Sequence, residues 1–486
     1  MSIKIYNTLT RQKETFTPRE DKNVGIYVCG VTPYDETHLG HAIPSILWDV
    51  FKKFLRYRGY HVTHVQNFTD IDDKIIARAQ REDKSASDIA MYYSEEYLRS
   101  MDALGVERAD YYPRVSQHIP QIIEMVSTLV EKGYAYEQNG DVYFSVDKFP
   151  SYGKLSKQRL DELVEGEKNL ENKRNPLDFA LWKGAKPGEP AWDSPWGPGR
   201  PGWHIECSAM SLQYLEDGID FHGGGMDLIF PHHENEIAQS EAYGIQPFVR
   251  YWVHNGLLQV KDEKMSKSLG NFISINDVLR EHPKEVVRFF ILSTHYRSPV
   301  DYSPEKIGEA RRGWERLNGI YQRLAKFLAG QGFDGGGNWQ EIEVNELSPG
   351  ERQLREAMEE GQENFIGAME DDFNTALAMA ALFQLGREIN SFLTNLQPPY
   401  GTATLGLLAG ALGIMQELGG QILGIFPPVE EGSNEAFNDV LQILLDVRTE
   451  AKKKKDYATA DAIRDRLREV GIILEDTPQG VNWHWA

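Results

Sequence analysis

Between Val24 and Gln66 the apolar positions change period twice. Val24 to Val28 is a short, continuous apolar run of strand length. The segment HAIPSILWDVFKKFLRYRG then sets Ile43, Leu47, Val50, Phe54 and Leu55 at helical spacing and is closed by Gly59. Pro44 is expected in the first turn of that helix, where a missing N–H costs nothing. A second strand follows from His61 to Gln66, so the unit is β-α-β, with parallel strands and a right-handed crossover. Helices are predicted over Lys84 to Leu104 and Val115 to Lys132. YAYEQNGDVYFSV predicts a hairpin turning at Asn139-Gly140. Lys183 to Gly202, rich in Gly, Pro and Trp, reads as a loop, and the strand and helix pattern resumes from Trp203 to about Leu292. The expected sheet is therefore parallel and split by an insertion of roughly ninety residues.

After Tyr302 the pattern is almost wholly helical, broken at GQGFDGGGNW and QPPYGTATLG. A linker, PPVEEGSNE, begins at Pro427; two helices and a short β pair, GIILEDTPQGVNWHW, follow. Leu405 to Phe426 is apolar enough to consider as a membrane span, but Glu417, two glutamines and several glycines favour a packed helix.

Length and charge sharpen this picture. A chain of 486 residues is too long for one ordinary core. The formal net charge of −21 argues against nucleic-acid binding by the average surface, since neutralising phosphates takes Lys and Arg. The run Lys452 to Lys455, with Arg464, Arg466 and Arg468, departs from that average. The start, MSIKIYNTLTRQKETF, has no apolar signal region, so a reducing, cytoplasmic setting is expected and the two cysteines, Cys29 and Cys207, are not expected to form a disulfide.

Three groups of residues carry candidate chemistry. Thr37-His38-Leu39-Gly40-His41 stands at the strand-to-helix turn of the β-α-β unit, where free N–H groups and the helix dipole attract phosphates. Lys264-Met265-Ser266-Lys267-Ser268 is a short, hydroxyl-rich loop whose two lysines suit the negative charge of a departing pyrophosphate. Cys29, Cys207 in GWHIECSAMS, and His232, His233 and Glu236 in FPHHENEIAQS form a plausible tetrahedral zinc set. His232 and Glu236 share a helix face at i, i+4, and His233 with Glu236 would also serve.

The first two motifs, in this order around a split parallel sheet, resemble the signature sequences of class I aminoacyl-tRNA synthetases. Over nearly the whole chain, YVCGVTPYDETHLGHA, NFTDIDDKI, RPGWHIECSAMS, DFHGGGMDLIFPHHENEIAQSEA, KMSKSLGN and DDFNTA resemble the cysteinyl-tRNA synthetases. The resemblance implies zinc ligands at Cys29, Cys207, His232 and Glu236. It implies a cysteinyl-adenylate pocket at Gly30, Thr32, Asn67, Thr69, Trp203, Gly225 and Asp227, with Gly223 to Gly225 allowing close approach. ATP, with Mg²⁺, would meet His38, Gly40, His41, Lys264 and Lys267. Pro44 departs from the family, which often has a hydroxyl residue near the adenylate there; the contact is either lost or supplied by Ser45.

The implied fold is an α/β Rossmann-like parallel-sheet catalytic domain split by an insertion, then an α-helical bundle domain and a small C-terminal α+β anticodon-binding domain. The expected boundaries are 1–116 and 203–302 for the catalytic halves, 117–202 for the insertion, 303–426 for the helical tRNA-binding domain and 430–486 for the anticodon-binding domain, with Asp461 and Arg464 toward the anticodon. The expected substrates are L-cysteine, ATP and tRNA(Cys), handled by a monomer without membrane attachment. Zinc suits the task of taking cysteine and rejecting serine, because it prefers a soft thiolate to a neutral hydroxyl. The nearest rival, a zinc-dependent cysteine ligase acting on an amino sugar in the mycothiol pathway, would share the zinc and adenylate residues but lack residues 430–486.

Overall fold

The computed structural model describes residues 2–158, 173–216, 218–260, 263–264, 272–332, 338–428, 434–469, 471–477 and 480–485. They form two compact units, Met1–Pro427 and Pro428–Ala486.

The first unit begins with a hairpin, β1 (Lys4–Asn7) and β2 (Gln12–Thr15), followed by β3 (Asn23–Val31), α1 (Leu39–Tyr57) and β4 (His61–Phe68). Next come α2 (Asp73–Glu82), α3 (Ala86–Ala103) and α4 (Ile119–Glu131). β5 (Ala135–Gln138), β6 (Asp141–Phe144), β7 (Phe179–Gly184) and β8 (Gly199–Pro201) then make an antiparallel sheet in that order. The hairpin turn is at Asn139 and Gly140, both with positive φ (57° and 86°), as an Asn-Gly turn requires. The loop expected over Lys183 to Gly202 is in part β7 and β8, with Trp182 paired to Val142 and to Pro201.

The central sheet resumes with α5 (Ile205–Tyr214), β9 (Ile219–Gly225), α6 (Glu234–Tyr243) and β10 (Val249–Asn255). Its order is β10-β9-β3-β4, and every pair is parallel. β3 and β4 precede the antiparallel insertion and β9 and β10 follow it, so the sheet is split as its pattern predicts. α1 is buried along most of its length and packs so closely that a Cβ on Gly223 would meet the Trp48 ring at 2.1 Å. Gly223 therefore serves helix–strand packing, whereas Gly224 and Gly225 face the cleft. Because α1 begins at Leu39, Pro44 falls at its sixth residue, one turn deeper than expected, and has no N–H to give the Gly40 carbonyl.

β11 (Leu258–Val260), β12 (Glu263–Lys264), α7 (Ile275–Glu281), α8 (Lys284–Leu292) and β13 (Val300–Tyr302) lead into the helical region. That region contains α9 (Pro304–Gly330), α10 (Pro349–Glu370), α11 (Thr375–Asn395) and α12 (Thr402–Ile414). Its core holds Leu317, Tyr321, Met358, Phe365, Leu385 and Leu407, all buried. Leu405 to Phe426 packs within it, and among the described residues no helix is long and apolar enough to cross a membrane.

Arg288 on α8 is buried and ties three regions together. It lies 2.6 Å from Asp49 of α1, and it donates to the carbonyls of Leu423 at 2.9 Å and Gly105 at 3.3 Å. Burial pushes the Asp49 carboxyl up, but Arg288 and then Lys53 outweigh it and hold it below the usual carboxylate range.

The second unit holds α13 (Asn434–Lys453), α14 (Tyr457–Glu469) and an antiparallel pair, β14 (Ile472–Thr477) and β15 (Gly480–Trp485). Leu441, Leu445, Leu467 and Ile472 form its small core.

Candidate active site and metal centre

A cleft of 370 Å³ opens at the C-terminal end of β3, where the parallel sheet meets α1. It is lined by Cys29, Gly30, Thr32, His38, Gly40 and His41 from the first half of the sheet, by Asn67 and Thr69 at the end of β4, and by Trp203, Cys207, Gly225, Asp227 and His232 from the second. Sequence-predicted residues as much as two hundred positions apart thus converge.

At the start of α1, His41 Nδ1 accepts from the His38 backbone N–H at 3.4 Å, and the two rings stack with centroids 3.6 Å apart. Accepting at Nδ1 leaves Nε2 of a neutral His41 as an N–H donor. The segment after the lysine motif is tied to this turn: Leu39 N donates to Ile273 O at 2.9 Å, and Phe272 meets His38 edge-on at 5.5 Å. Lys264 is placed as backbone in β12, and Lys267 lies outside the described residues.

Gly30 N donates to Asn67 Oδ1 at 2.8 Å, and Asn67 Nδ2 to Thr69 Oγ1 at 3.3 Å. A Cβ on Gly30 would lie 1.5 Å from the Asn67 carbonyl, so only glycine fits there. Trp203 is 42% exposed and stacks on His232 at 4.7 Å, leaving a face for a ligand to cover. Pro44 lines the cleft, but Ser45 does not: its Oγ donates to His41 O at 2.9 Å and meets Tyr97 Oη at 2.9 Å.

Beside Trp203 lies a buried donor cluster. Cys29 Sγ is 3.8 Å from Cys207 Sγ, 3.5 Å from Glu236 Oε1 and 3.3 Å from His233 Nε2. His232 Nε2 lies 3.0 Å from Glu236 Oε1, and His222 Nε2 lies 2.8 Å from Oε2. Ligand atoms of Cys29, His232, His233 and Glu236 all lie within 4.8 Å of one another. Burial pushes Glu236 up, yet His222 and His232 outweigh it and bring the carboxyl to about 2. His232 is raised to about 10: burial opposes this, but Glu236 and Cys207 prevail. A hydrogen bond from Cys29 brings Cys207 to about 6, while burial pushes Cys29 up. The cluster thus concentrates negative charge next to imidazoles, the donor chemistry that a zinc ion takes. The sulfur separation also fits, since tetrahedral zinc with Zn–S bonds of about 2.3 Å sets its sulfurs about 3.8 Å apart.

Residue patterns alone did not single out His204, His222 and His254, which support the cluster from behind. His204 Nδ1 is 2.9 Å from His232 Nδ1, and His254 Nε2 is 2.7 Å from His233 Nδ1. Burial, then His222, holds His254 down at about 3. Nor did any pattern point to Gln66 and Tyr97, which also line the cleft.

Comparison with known proteins gives one answer along the chain. Residues 15–312 match the class I (C) tRNA synthetase catalytic domain, 364–427 the DALR domain and 436–483 the cysteinyl-tRNA ligase anticodon-binding domain. The chain is 51% identical to the cysteine–tRNA ligase of Pelotomaculum thermopropionicum over 497 aligned residues, covering 99% of each. It is 49% identical to that of Thermococcus onnurineus, again over 99% of each. Among solved structures, Mycobacterium tuberculosis methionyl-tRNA synthetase bound by methionyl-adenylate shares the fold, with a TM-score of 0.63 and 16% identity over 87% of this chain and 94% of that one.

Proposed function

The chain belongs to the family of cysteine–tRNA ligases, class I aminoacyl-tRNA synthetases, and from that premise we propose how its own residues divide the work. The reaction activates L-cysteine with ATP to cysteinyl-adenylate and pyrophosphate, then transfers cysteine to the 3′ end of tRNA(Cys).

In our reading Cys29, Cys207, His232 and Glu236 hold one zinc ion per chain, and His233, His204 and His222 orient that set. Bound zinc supplies preference for a soft thiolate and lowers the thiol pKa, which separates cysteine from serine where shape would give only about a hundredfold. Trp203 walls the amino-acid pocket and Asp227 meets the substrate ammonium. Gly30, Thr32, Asn67, Thr69 and Gly225 contour the adenylate.

The cysteine carboxylate attacks the α-phosphorus of ATP, and the bond to pyrophosphate breaks. His38 and His41 donate to phosphate oxygens above Gly40, at the N-terminus of α1. Lys264 and Lys267, with Mg²⁺ on the nucleotide, balance the charge of the leaving pyrophosphate. A terminal ribose hydroxyl of the tRNA then attacks the adenylate carbonyl and AMP leaves. Positioning and charge stabilisation supply the rate.

We assign residues 1–116 and 203–302 to catalysis, 117–202 to the acceptor end of tRNA, 303–426 to the tRNA body and 430–486 to the anticodon. Asp461 and Arg464 are exposed and paired to each other at 3.0 Å. An exposed pair of this kind is worth no more than about 1 kcal/mol, so a base edge can displace it. A monomer suffices in this reading, because the donor set and the described lining of the cleft come from one chain.

The observation that carries this reading is the convergence of two sulfurs 3.8 Å apart and His232, backed by the buried Glu236, on the same cleft as His38 and His41. ATP–pyrophosphate exchange with each of the twenty amino acids tests it. Exchange should occur with cysteine and be far slower with serine; equal exchange with both would overturn the selection mechanism.

A further inference from the structure

Tyr97 comes from α3, outside every motif that carries the known chemistry, yet its side chain is buried and lines the cleft. Its hydroxyl has two partners, Gln66 Nε2 at 3.1 Å and Ser45 Oγ at 2.9 Å. Ser45 Oγ in turn donates to the His41 carbonyl at 2.9 Å. The direction of these bonds is fixed by chemistry. An amide nitrogen only donates, so Gln66 gives to Tyr97 Oη. Ser45 has spent its one proton on His41 O, so it accepts from Tyr97. The result is a one-way relay: Gln66 N–H to Tyr97, Tyr97 O–H to Ser45, Ser45 O–H to the carbonyl of His41. The Tyr97 ring also meets the His41 imidazole edge-on, with centroids 6.4 Å apart.

Both ends of the relay are cleft residues. Gln66 lines the cleft, and its carboxamide can turn unless its nitrogen is held; held, it keeps the oxygen as a fixed acceptor. His41 carries the ring read above as a phosphate donor. Pro44, one residue before Ser45, cannot donate to the Gly40 carbonyl, so this turn of α1 lacks one of its usual backbone bonds and depends more on side-chain ties.

We propose that Tyr97 is a positioning residue for the nucleotide: its hydroxyl locks the Gln66 carboxamide to the turn of α1 that bears His41, holding both in register for ATP. The inference rests on the nucleotide reading of His41. It concerns ATP, not cysteine, since the relay touches neither the thiol-binding cluster nor Trp203.

Tyr97→Phe removes one oxygen and keeps the ring, and Ser45→Ala removes the next link. In pyrophosphate exchange with the full chain, Tyr97→Phe should raise the KM for ATP about tenfold, the effect of losing one well-placed hydrogen bond. The KM for cysteine should move less than about twofold, and zinc content should be unchanged. Because both groups act in one relay, the double variant should be no worse than the weaker single. Losses that multiply, or equal effects on ATP and cysteine, would overturn the proposal. His41→Asn in the same assay separates the two levels. Unchanged ATP kinetics there would overturn the nucleotide reading itself; slowed kinetics there beside an unaltered Tyr97→Phe would overturn the relay alone.

Discussion

Five side chains converge where a tetrahedral ion needs four, so Cys207 and His233 compete for one place. With bonds of about 2.3 Å to sulfur, 2.05 Å to nitrogen and 2.1 Å to oxygen, a regular tetrahedron has edges of about 3.8 Å between sulfurs, 3.6 Å from sulfur to oxygen and 3.4 Å from nitrogen to oxygen. Cys29 to Cys207 is 3.8 Å and Cys29 to Glu236 is 3.5 Å, so those edges close. His233 to Glu236 is 3.9 Å, about half an ångström too long, and His232 to Glu236 is 3.0 Å, about 0.4 Å too short, so the nitrogen–oxygen edges do not decide and the choice of Cys207 rests on the sulfur–sulfur edge. The other nitrogen of His233 is engaged by His254 at 2.7 Å, as that of His232 is by His204 at 2.9 Å, so this feature does not separate the two imidazoles. Loss of a supporting group costs about ten- to a hundredfold in metal affinity, and loss of a thiolate ligand costs more. Cys207→Ser should therefore release zinc during dialysis against a chelator that leaves His233→Asn with close to one zinc per chain. Metal analysis of both proteins by inductively coupled plasma spectrometry makes the comparison. If His233→Asn were stripped while Cys207→Ser stayed loaded, the ligand set would be Cys29, His232, His233 and Glu236, and the argument from edge lengths would be wrong.

Two further outcomes follow from other parts of the molecule. His64 is buried, and burial, then Lys52, lowers its pKa from the ordinary 6.5 to about 3. The unfolded chain takes up a proton below 6.5 that the folded chain refuses, so this group's share of stability is full above pH 6.5 and is lost as pH falls toward 3, by up to about 1.4 kcal/mol per pH unit. His64→Gln should flatten the acid limb of urea-unfolding stability between pH 6 and 4 relative to the parent, and an equally steep limb would contradict the sign. Truncation after Phe426 removes Pro427 and the second compact unit and should leave cysteine-dependent pyrophosphate exchange near normal while sharply lowering charging of tRNA and the salt dependence of tRNA affinity; full charging by the truncated chain would end the anticodon assignment.

Much of this was legible in the sequence because the signals are local. The spacing from Ile43 to Leu55, the stop at Gly59 and the turn at Asn139-Gly140 all report structure decided within a few residues. What escaped is non-local. Lys183 and Arg200 read as loop because Gly and Pro dominate their neighbourhood, yet they pair with each other across the β7–β8 ladder. Pro44 was misplaced because the helix starts at Leu39, upstream of its apolar spacing. Ser45 looked available to an adenylate, but its hydroxyl is taken by the His41 carbonyl four residues earlier and by Tyr97, over fifty residues away in sequence. The donor cluster was found through motif resemblance; spacing alone left His232 and His233 equivalent, and of the histidines behind them His204 and His222 lay within the matching stretches without being singled out, while His254 lay outside them.

The buried Arg288 has a bearing on how the molecule is made. Asp49 and Gly105 have been synthesised before Arg288, but the Leu423 carbonyl that completes its coordination comes 135 residues later. At about 5 to 20 residues per second, a ribosome needs roughly 7 to 27 seconds to cover that gap. During that time one guanidinium donor must be satisfied by water, and its burial between α1 and α8 is unfinished. The tie between α1 and α8 is therefore completed only as the first unit nears its end. The last hydrogen bond behind the helix that starts at the His38–His41 turn thus comes from chain made at the far end of the helical region.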